Sequence, residues 1–318
     1  MKQFLVILVL FFSINACDDG DLEVKNIDFE DVVAAKCSGD KDVIYKIKDT
    51  EMLLIEIPAA TTFLNDETPE GDPIEVAISS TVKVKYRQYN GAVSVDNICP
   101  AIPNATPNLM EEWNALAGTI QITSTAIKTT DTNTGATKIT GYKHYIVFKN
   151  ITFEKPGGTQ VYTSFVFGNY NTTATALSFG FDEEVSKSSC DNRLFNFNGS
   201  EVLTLDAADY ASLIVNEPTT SGPRTALLSS TNKLTYSLYT SVVNDAFFCT
   251  TPTPTIPAQL WIAEDGVENV SGRIEVTTIE LFGDFQHTIR LKKVTMKKGF
   301  SDFYLGDDYL FGTFLSSN

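Results

Sequence analysis

Shifted by 150 positions, the chain lies over itself. Residues 51–99 meet residues 201–249 without a gap, and twelve of those 49 positions are identical. Glu51, Leu53, Glu67, Pro73, the run Ser79-Ser80-Thr81, Lys83, Tyr86, Tyr89, Val93 and Cys99 each find their own kind in the second window. A match that keeps turn residues, aromatics and a cysteine in step marks a duplicated structural unit rather than shared composition. It continues outward with small gaps. Phe29…Cys37 parallels Phe181…Cys190, and each second cysteine leads a Pro/Thr/Asn-rich stretch (CPAIPNATP, CTTPTPTIP) and then a lone tryptophan, Trp113 or Trp261. GTIQITSTA faces GRIEVTTIE, and the only two histidines fall into register within YKHYIVFKNITF and FQHTIRLKKVTM. Each copy closes on an aromatic-glycine signature, at Phe165–Tyr170 and Tyr309–Phe314. The first copy alone carries about eleven extra residues near Lys128–Lys138, Thr/Asn/Gly-rich and expected to lengthen a hairpin loop. The expected organisation is therefore two β-domain repeats, 24–171 and 176–318, with Asn171–Thr175 as a short polar joint.

The N-terminus is of another kind. Lys2 precedes nine unbroken apolar residues, Phe4 to Phe12. That run suits a secretory signal and is too short to cross about 30 Å of hydrocarbon as a helix. Ile14-Asn15-Ala16-Cys17 resembles a bacterial lipobox, in which the cysteine thiol takes up a diacylglycerol and the chain is cut just before it. The resemblance implies a signal peptide over residues 1–16 and a lipid on Cys17; at roughly 0.8 kcal/mol per buried CH₂, two or three acyl chains anchor stably. Residues 17–23 then form an acidic tether. Its Asp18-Asp19-Gly20-Asp21 is similar to the surface-export signal of lipoproteins from Bacteroidetes-type bacteria. The mature chain as a whole resembles the Cys-anchored, all-β surface lipoproteins of Flavobacterium-like bacteria. The resemblance implies an outer-membrane location facing the cell exterior and no particular activity.

Charge narrows the partners. Removing residues 1–16 takes away Lys2 and no acid, so the net charge moves from −16 to −17. Nucleic-acid binding rests on Lys/Arg neutralising phosphates, so nucleic acid is not an expected partner. The membrane is expected as a partner only through the lipid on Cys17.

Cys37, Cys99, Cys190 and Cys249 remain, and an even number in an exported chain reads as disulfides. The duplication chooses among three connectivities: Cys37 with Cys99 and Cys190 with Cys249, one bridge per copy. Each closes a loop of roughly 60 residues, for which chain entropy alone gives about 4 kcal/mol.

Within each copy the periodicity is that of strands. Val82, Val84 and Tyr86 alternate with Lys83, Lys85 and Arg87, as Ile120 and Ile122 do with Gln121 and Thr123, and Ile274 and Val276 with Glu275 and Thr277. The fold class expected is all-β: two tandem antiparallel sandwich or barrel-like domains. The best helical candidates are Met110–Ala117 and Asp206–Val215. The apolar phase slips after Phe148 and Leu291, which predicts a bulge at one place in both copies.

Candidate sites are few. His144 and His287 each share a strand face with apolar neighbours, the setting of a hydrogen-bonded core histidine. Ligand or base roles would need partners that local sequence does not supply. Trp113 and Trp261 are candidate binding residues if exposed, where they could stack on a sugar or anchor a protein; buried, each would plug a sandwich. Asp182-Glu183-Glu184 and Asp307-Asp308 match no calcium loop and read as solvated faces. Arg290-Leu291-Lys292-Lys293…Lys297-Lys298 is a cationic island on an acidic chain, expected to balance neighbouring carboxylates. Five Asn-X-Ser/Thr triplets, from Asn104, Asn150, Asn171, Asn198 and Asn269, carry no weight in a bacterial setting. No Gly-X-Ser-X-Gly, His-Glu-X-X-His or phosphate-binding glycine loop is present, so no catalytic residue, metal ligand or cofactor is assigned. A glycosidase-type carboxylate pair needs no fixed spacing and stays open.

The function expected is a non-enzymatic surface protein that binds or scaffolds an envelope protein or a glycan, since a duplicated module gives bivalency cheaply. The alternatives are an extracellular glycan or peptide hydrolase and an accessory subunit of an outer-membrane transport complex.

Overall fold

The computed structural model describes residues 26–39, 42–63, 65–249 and 256–317. The expected signal over 1–16, Cys17 and the tether to residue 23 lie outside the described residues. Among the described residues no helix is long and apolar enough to cross a membrane.

Alternating side chains build the strands as the periodicity requires. Val82, Val84 and Tyr86 point inward and are buried, while Lys83 and Lys85 stand on the other face and pair with Glu56 at 3.3 and 2.7 Å. The first half forms one antiparallel sheet of eight strands: β1 (Ala35–Lys36), β2 (Val43–Lys48), β3 (Glu51–Glu56), β4 (Ile74–Ala77), β5 (Lys83–Tyr89), β6 (Leu109–Thr130), β7 (Thr137–Lys155) and β8 (Gly158–Thr173). Their spatial order is β1-β2-β3-β5-β6-β7-β8, with β4 on the far part of β6. The long strands curl. Leu109–Asn114 of β6 pairs with β5, whereas Thr119–Ile122 pairs with β4, so one strand serves both layers around a single core.

The second half holds β9 (Ser186–Lys187), β10 (Arg193–Asn198), β11 (Glu201–Ala207), β12 (Arg224–Leu227), β13 (Asn232–Leu238), β14 (Gln259–Ala263), β15 (Arg273–Leu281), β16 (Asp284–Lys292), β17 (Thr295–Lys298), β18 (Ser301–Tyr304) and β19 (Tyr309–Ser316). They make a seven-stranded sheet, β18-β17-β14-β13-β11-β10-β9, and a four-stranded one, β12-β15-β16-β19, facing each other across a second core. The same pairs recur at the sequence shift. Leu53 lies opposite Tyr86 and Leu203 opposite Tyr236; Tyr86 lies opposite Trp113 and Tyr236 opposite Trp261. Where the first half bends three long strands, the second interrupts them, between β14 and β15, β16 and β17, and β18 and β19.

The corner has local causes. Gly118 has φ 131°, and a side chain there would meet Ile151 Cα at 2.7 Å; Gly272, at φ 68°, would meet Gly266 Cα at 2.5 Å. Asn150 and Lys293 both take left-handed backbone, φ 50° and 51°, at the place where the apolar phase slips. The register of β6 on β7 shifts opposite Asn150, between Ala117 and Thr119, and β16 ends just before Lys293. A second shift recurs against Gly168 and Gly312, between Ile146 and Val147 and between Ile289 and Arg290.

Cys37 is bonded to Cys99 and Cys190 to Cys249. The helical candidates need correction. Met110–Ala117 is strand, because Glu111, Glu112, Trp113 and Asn114 are drawn into register with β5. Tertiary pairing overrides its helix-forming composition. Of Asp206–Val215, the first two residues end β11 and only Tyr210–Leu213 make one helical turn.

Candidate functional site

The two histidines occupy matched, closed sites. Both side chains are wholly buried. His144 Nδ1 meets Ser124 Oγ at 2.8 Å and Nε2 meets Thr172 Oγ1 at 2.9 Å. His287 Nδ1 meets Thr278 Oγ1 and Nε2 meets Ser316 Oγ, each at 2.8 Å. Around His287 the donors can be ordered. Arg224 donates to Thr278 Oγ1 and Ser316 Oγ donates to Asn216, so the Thr278 hydroxyl donates to Nδ1 and Nε2–H donates to Ser316. The imidazole is neutral within a satisfied chain. Burial pushes His144 down to about 4, and burial with the nearby Arg224 lowers His287. Both nitrogens of each ring are engaged and no ring atom faces solvent, so these are core residues.

Trp113 and Trp261 are core residues as well, which corrects their candidacy as binding residues. They are 1% and 2% exposed. Each indole N–H is held by the residue two before it, Glu111 at 2.7 Å and Gln259 at 3.1 Å, and each ring lies under a lysine, Lys155 at 5.3 Å and Lys298 at 5.1 Å. A strand-borne indole between two layers buries more apolar surface than any exposed placement allows. Neither ring offers a face to a sugar or a partner.

The open feature is lined by residues of both halves, and the extra residues of the first half supply one of its walls. Lys128–Lys138 is a hairpin whose arms extend β6 and β7, closed by a turn in which Asp131 Oδ1 accepts the N–H of Asn133 and Thr134. The equivalent turn of the second half is short, Leu281 pairing directly with Asp284. The longer hairpin reaches across. Lys128 pairs with Asp302 at 3.0 Å, Tyr304 N–H donates to Thr137 Oγ1 at 2.8 Å and Asp307 N–H to Thr134 O at 3.1 Å.

Beside it, Asp66 Oδ1 accepts from the N–H and the hydroxyl of Ser301, at 2.9 and 2.7 Å, and from Phe300 N–H at 3.1 Å. Tyr142 OH reaches the same fully buried Ser301 hydroxyl, and Lys298 donates to Asn65 O. Charge-assisted bonds from one carboxylate to consecutive backbone groups make a stiff junction.

Asn171–Thr173 of the expected joint continue β8, and where that strand ends is a cavity of about 740 Å³. Ile139, Leu177, Phe179, Phe303, Leu305 and Tyr309 supply its apolar wall, and Lys138, Tyr304 and Asp308 its polar atoms. Size and lining are those of a small-ligand site, which usually spans roughly 300–1,000 Å³ and is mostly apolar with a few placed polar groups. Phe179 is held under strain there. Its φ is 50°, and the buried Glu201 carboxylate fixes it by accepting from Phe179 N–H at 3.1 Å and from Ser178 N–H and hydroxyl at 2.7 and 2.6 Å. Its ring stacks on Tyr236 at 4.5 Å. Such left-handed, non-glycine backbone persists only where the surroundings over-determine it. Burial and the bond to Asp307 raise Tyr304 to about 12, and burial beside Glu201 raises Tyr309 to about 12, so both phenols stay neutral.

Part of the basic run is balanced by carboxylates. Asp308 takes Arg290 at 2.7 Å and Lys292 at 2.8 Å, and Lys297 takes Glu264 at 2.6 Å. Asp307 accepts the Tyr304 hydroxyl, and Glu183 joins the backbone pairing of β19. Among the described residues no three His, Cys, Asp or Glu side chains converge as a metal site. Cys17, the expected lipidation site, lies outside the described residues. Sequence reasoning missed Asp66, Ser301 and Glu201. The one signal that pointed to the cleft was the unmatched stretch at Lys128–Lys138. No family model, curated protein or solved structure matches the chain.

Proposed function

We propose that this chain is a duplicated, envelope-anchored lipoprotein, tethered through Cys17 at the outer membrane and facing the cell exterior. It acts there as a non-enzymatic binding or scaffold protein. The observation that supports the reading is the cleft: a largely apolar cavity, one wall of which is the segment in which the two halves differ most. A duplication that had only to fold would have no use for that segment. Here it locks the halves together and walls a site, and the ligand class is an envelope protein segment or glycan with an apolar face to lay on Phe303 and Tyr309.

The test uses the whole mature chain and an Ala176→Trp variant, since Ala176 is exposed and lines the cavity. Both are run on a glycan array and on detergent-solubilised envelope. The reading expects a ligand that wild type retains and the variant loses by about tenfold or more, an added indole being large against such a site. If nothing is retained in a way that depends on residue 176, the binding reading fails. Mass spectrometry of the protein from its own membrane tests the anchor separately, and an unmodified Cys17 would end that part.

A further inference from the structure

The two halves end on strands in matching positions, but among the described residues only one of those strands has a segment paired along its outer edge. In the second half the chain between Phe181 and β9 lies along the outer edge of β19. Glu184 bridges Thr313 in parallel, Thr313 N–H donates to Glu183 O, and Val185 N–H donates to Thr313 O at 2.8 Å. Gly312, at φ 145°, lets this segment in: a side chain there would strike Val185 and would meet Glu183 O at 2.7 Å.

The equivalent strand of the first half is β8, with Gly168 and Asn169 in the places of Gly312 and Thr313. Ala174 N–H donates to Thr140 O, so by alternation the backbone groups of Thr172 and Tyr170 face β7 while those of Asn169, Asn171 and Thr173 face outward. Among the described residues no backbone group pairs with that outer edge from Phe165 to Thr173. The reason is local. Ala35 pairs with Tyr45 where Ser186 pairs with Phe195, so the first half has one residue more than the second between Phe29 or Phe181 and that strand. The extra length goes into a turn in which Val32 N–H returns to Phe29 O at 3.1 Å, and Val33 is left 86% exposed. No backbone group of this turn pairs with the edge of β8.

We propose that the outer edge of β8 at Asn169–Thr173 is a strand-addition site for an extended peptide segment of a partner protein. The segment runs parallel to β8 as Glu183–Val185 runs along β19. The occupant is specified by the molecule itself, since the second half carries the same strand with its guest in place. Open edges are normally covered, because their unpaired N–H and C=O groups recruit further strands. Two observations favour this edge as a receptor. Asn169, Asn171 and Thr173 are exposed. Gly168 is again left-handed, φ 97°, and brings no side chain of its own to the approach. Lys46, 1% exposed, sets its ammonium 3.0 Å from where a Gly168 side chain would begin and donates to Phe29 O at 2.8 Å, so the open stretch of the edge begins at Asn169.

The test titrates a capped peptide copying residues 182–187 (Asp-Glu-Glu-Val-Ser-Lys) into the whole mature chain and follows amide hydrogen exchange. The expected result is slowing of the Asn169 and Asn171 amides by about tenfold at saturation. The same peptide with proline in place of valine, lacking the N–H that bonds Thr313 O, should give none. No slowing at any attainable concentration overturns the proposal, and so does equal slowing by the proline peptide or slowing confined to other strand edges. Protection of Asn169 in the free protein, as monomer or dimer, overturns it too, because the chain itself would then be the occupant. The Ala176→Trp variant must respond to the peptide as wild type does, so a failed cleft and a failed edge are told apart.

Discussion

His144 and His287 give the residue scale its sharpest test. Each is neutral because no carboxylate meets the ring and both nitrogens are spent on hydroxyls or their equivalents. With His144 held near 4 against an unfolded value near 6.5, the unfolded state binds more protons between those values. Stability from this residue is therefore complete above about pH 6.5 and is lost as the pH falls toward about 4, on the order of 3 kcal/mol in all. NMR of the two imidazole C–H signals checks it directly: the His144 midpoint should lie well below 6, and a midpoint near 6.5 would show an open site. The tryptophans test burial. Trp113→Ala and Trp261→Ala should each cost about 3–5 kcal/mol in denaturant unfolding, the range for emptying a large aromatic site. A loss under about 1 kcal/mol would mean the ring is not in the core.

At the scale of elements, the corner depends on backbone that only certain residues tolerate. Asn150 sits at φ 50°, where asparagine and glycine are admitted and β-branched residues are not. Asn150→Gly should leave the melting temperature within a few degrees, whereas Asn150→Val should lower stability by about 1–2 kcal/mol. Equal behaviour of the two would remove the left-handed residue from the account of the bend. The Lys128–Lys138 hairpin is the element that reaches the other half. Replacing its turn, Asp131–Ala136, with Asn-Gly keeps a two-residue hairpin but withdraws Thr134 O from Asp307 N–H. The expected outcome is a folded protein with faster exchange at the Asp307 amide and a cleft more open in small-angle scattering. An unchanged Asp307 amide would count against the hairpin as a clamp.

At the scale of the whole molecule, the halves are joined by few groups of high value. Asp66 alone accepts from Phe300 and Ser301, so Asp66→Ala leaves three donors to find water. It should cost about 2–3 kcal/mol and make the second half more mobile, while both disulfides stay intact. Calorimetry that splits into two transitions would be the signature, and a single unshifted transition would show that Asp66 does not hold the junction. What could be read beforehand follows a physical division. Strand periodicity, the pairing of Cys37 with Cys99 and Cys190 with Cys249, and the placing of both histidines in apolar faces were all written locally, or by the repeat, which states each local pattern twice. Met110–Ala117 misled because its side chains favour a helix while its partners, Tyr86 above all, lie in another strand and are invisible to local propensity. The cleft, the Asp66–Ser301 junction and the edge of β8, unpaired among the described residues, were not legible for the same reason. Each is a meeting of groups far apart in sequence, or a difference of one residue between Phe29 and Ala35, and a chain reveals such meetings only once its strands have chosen their neighbours.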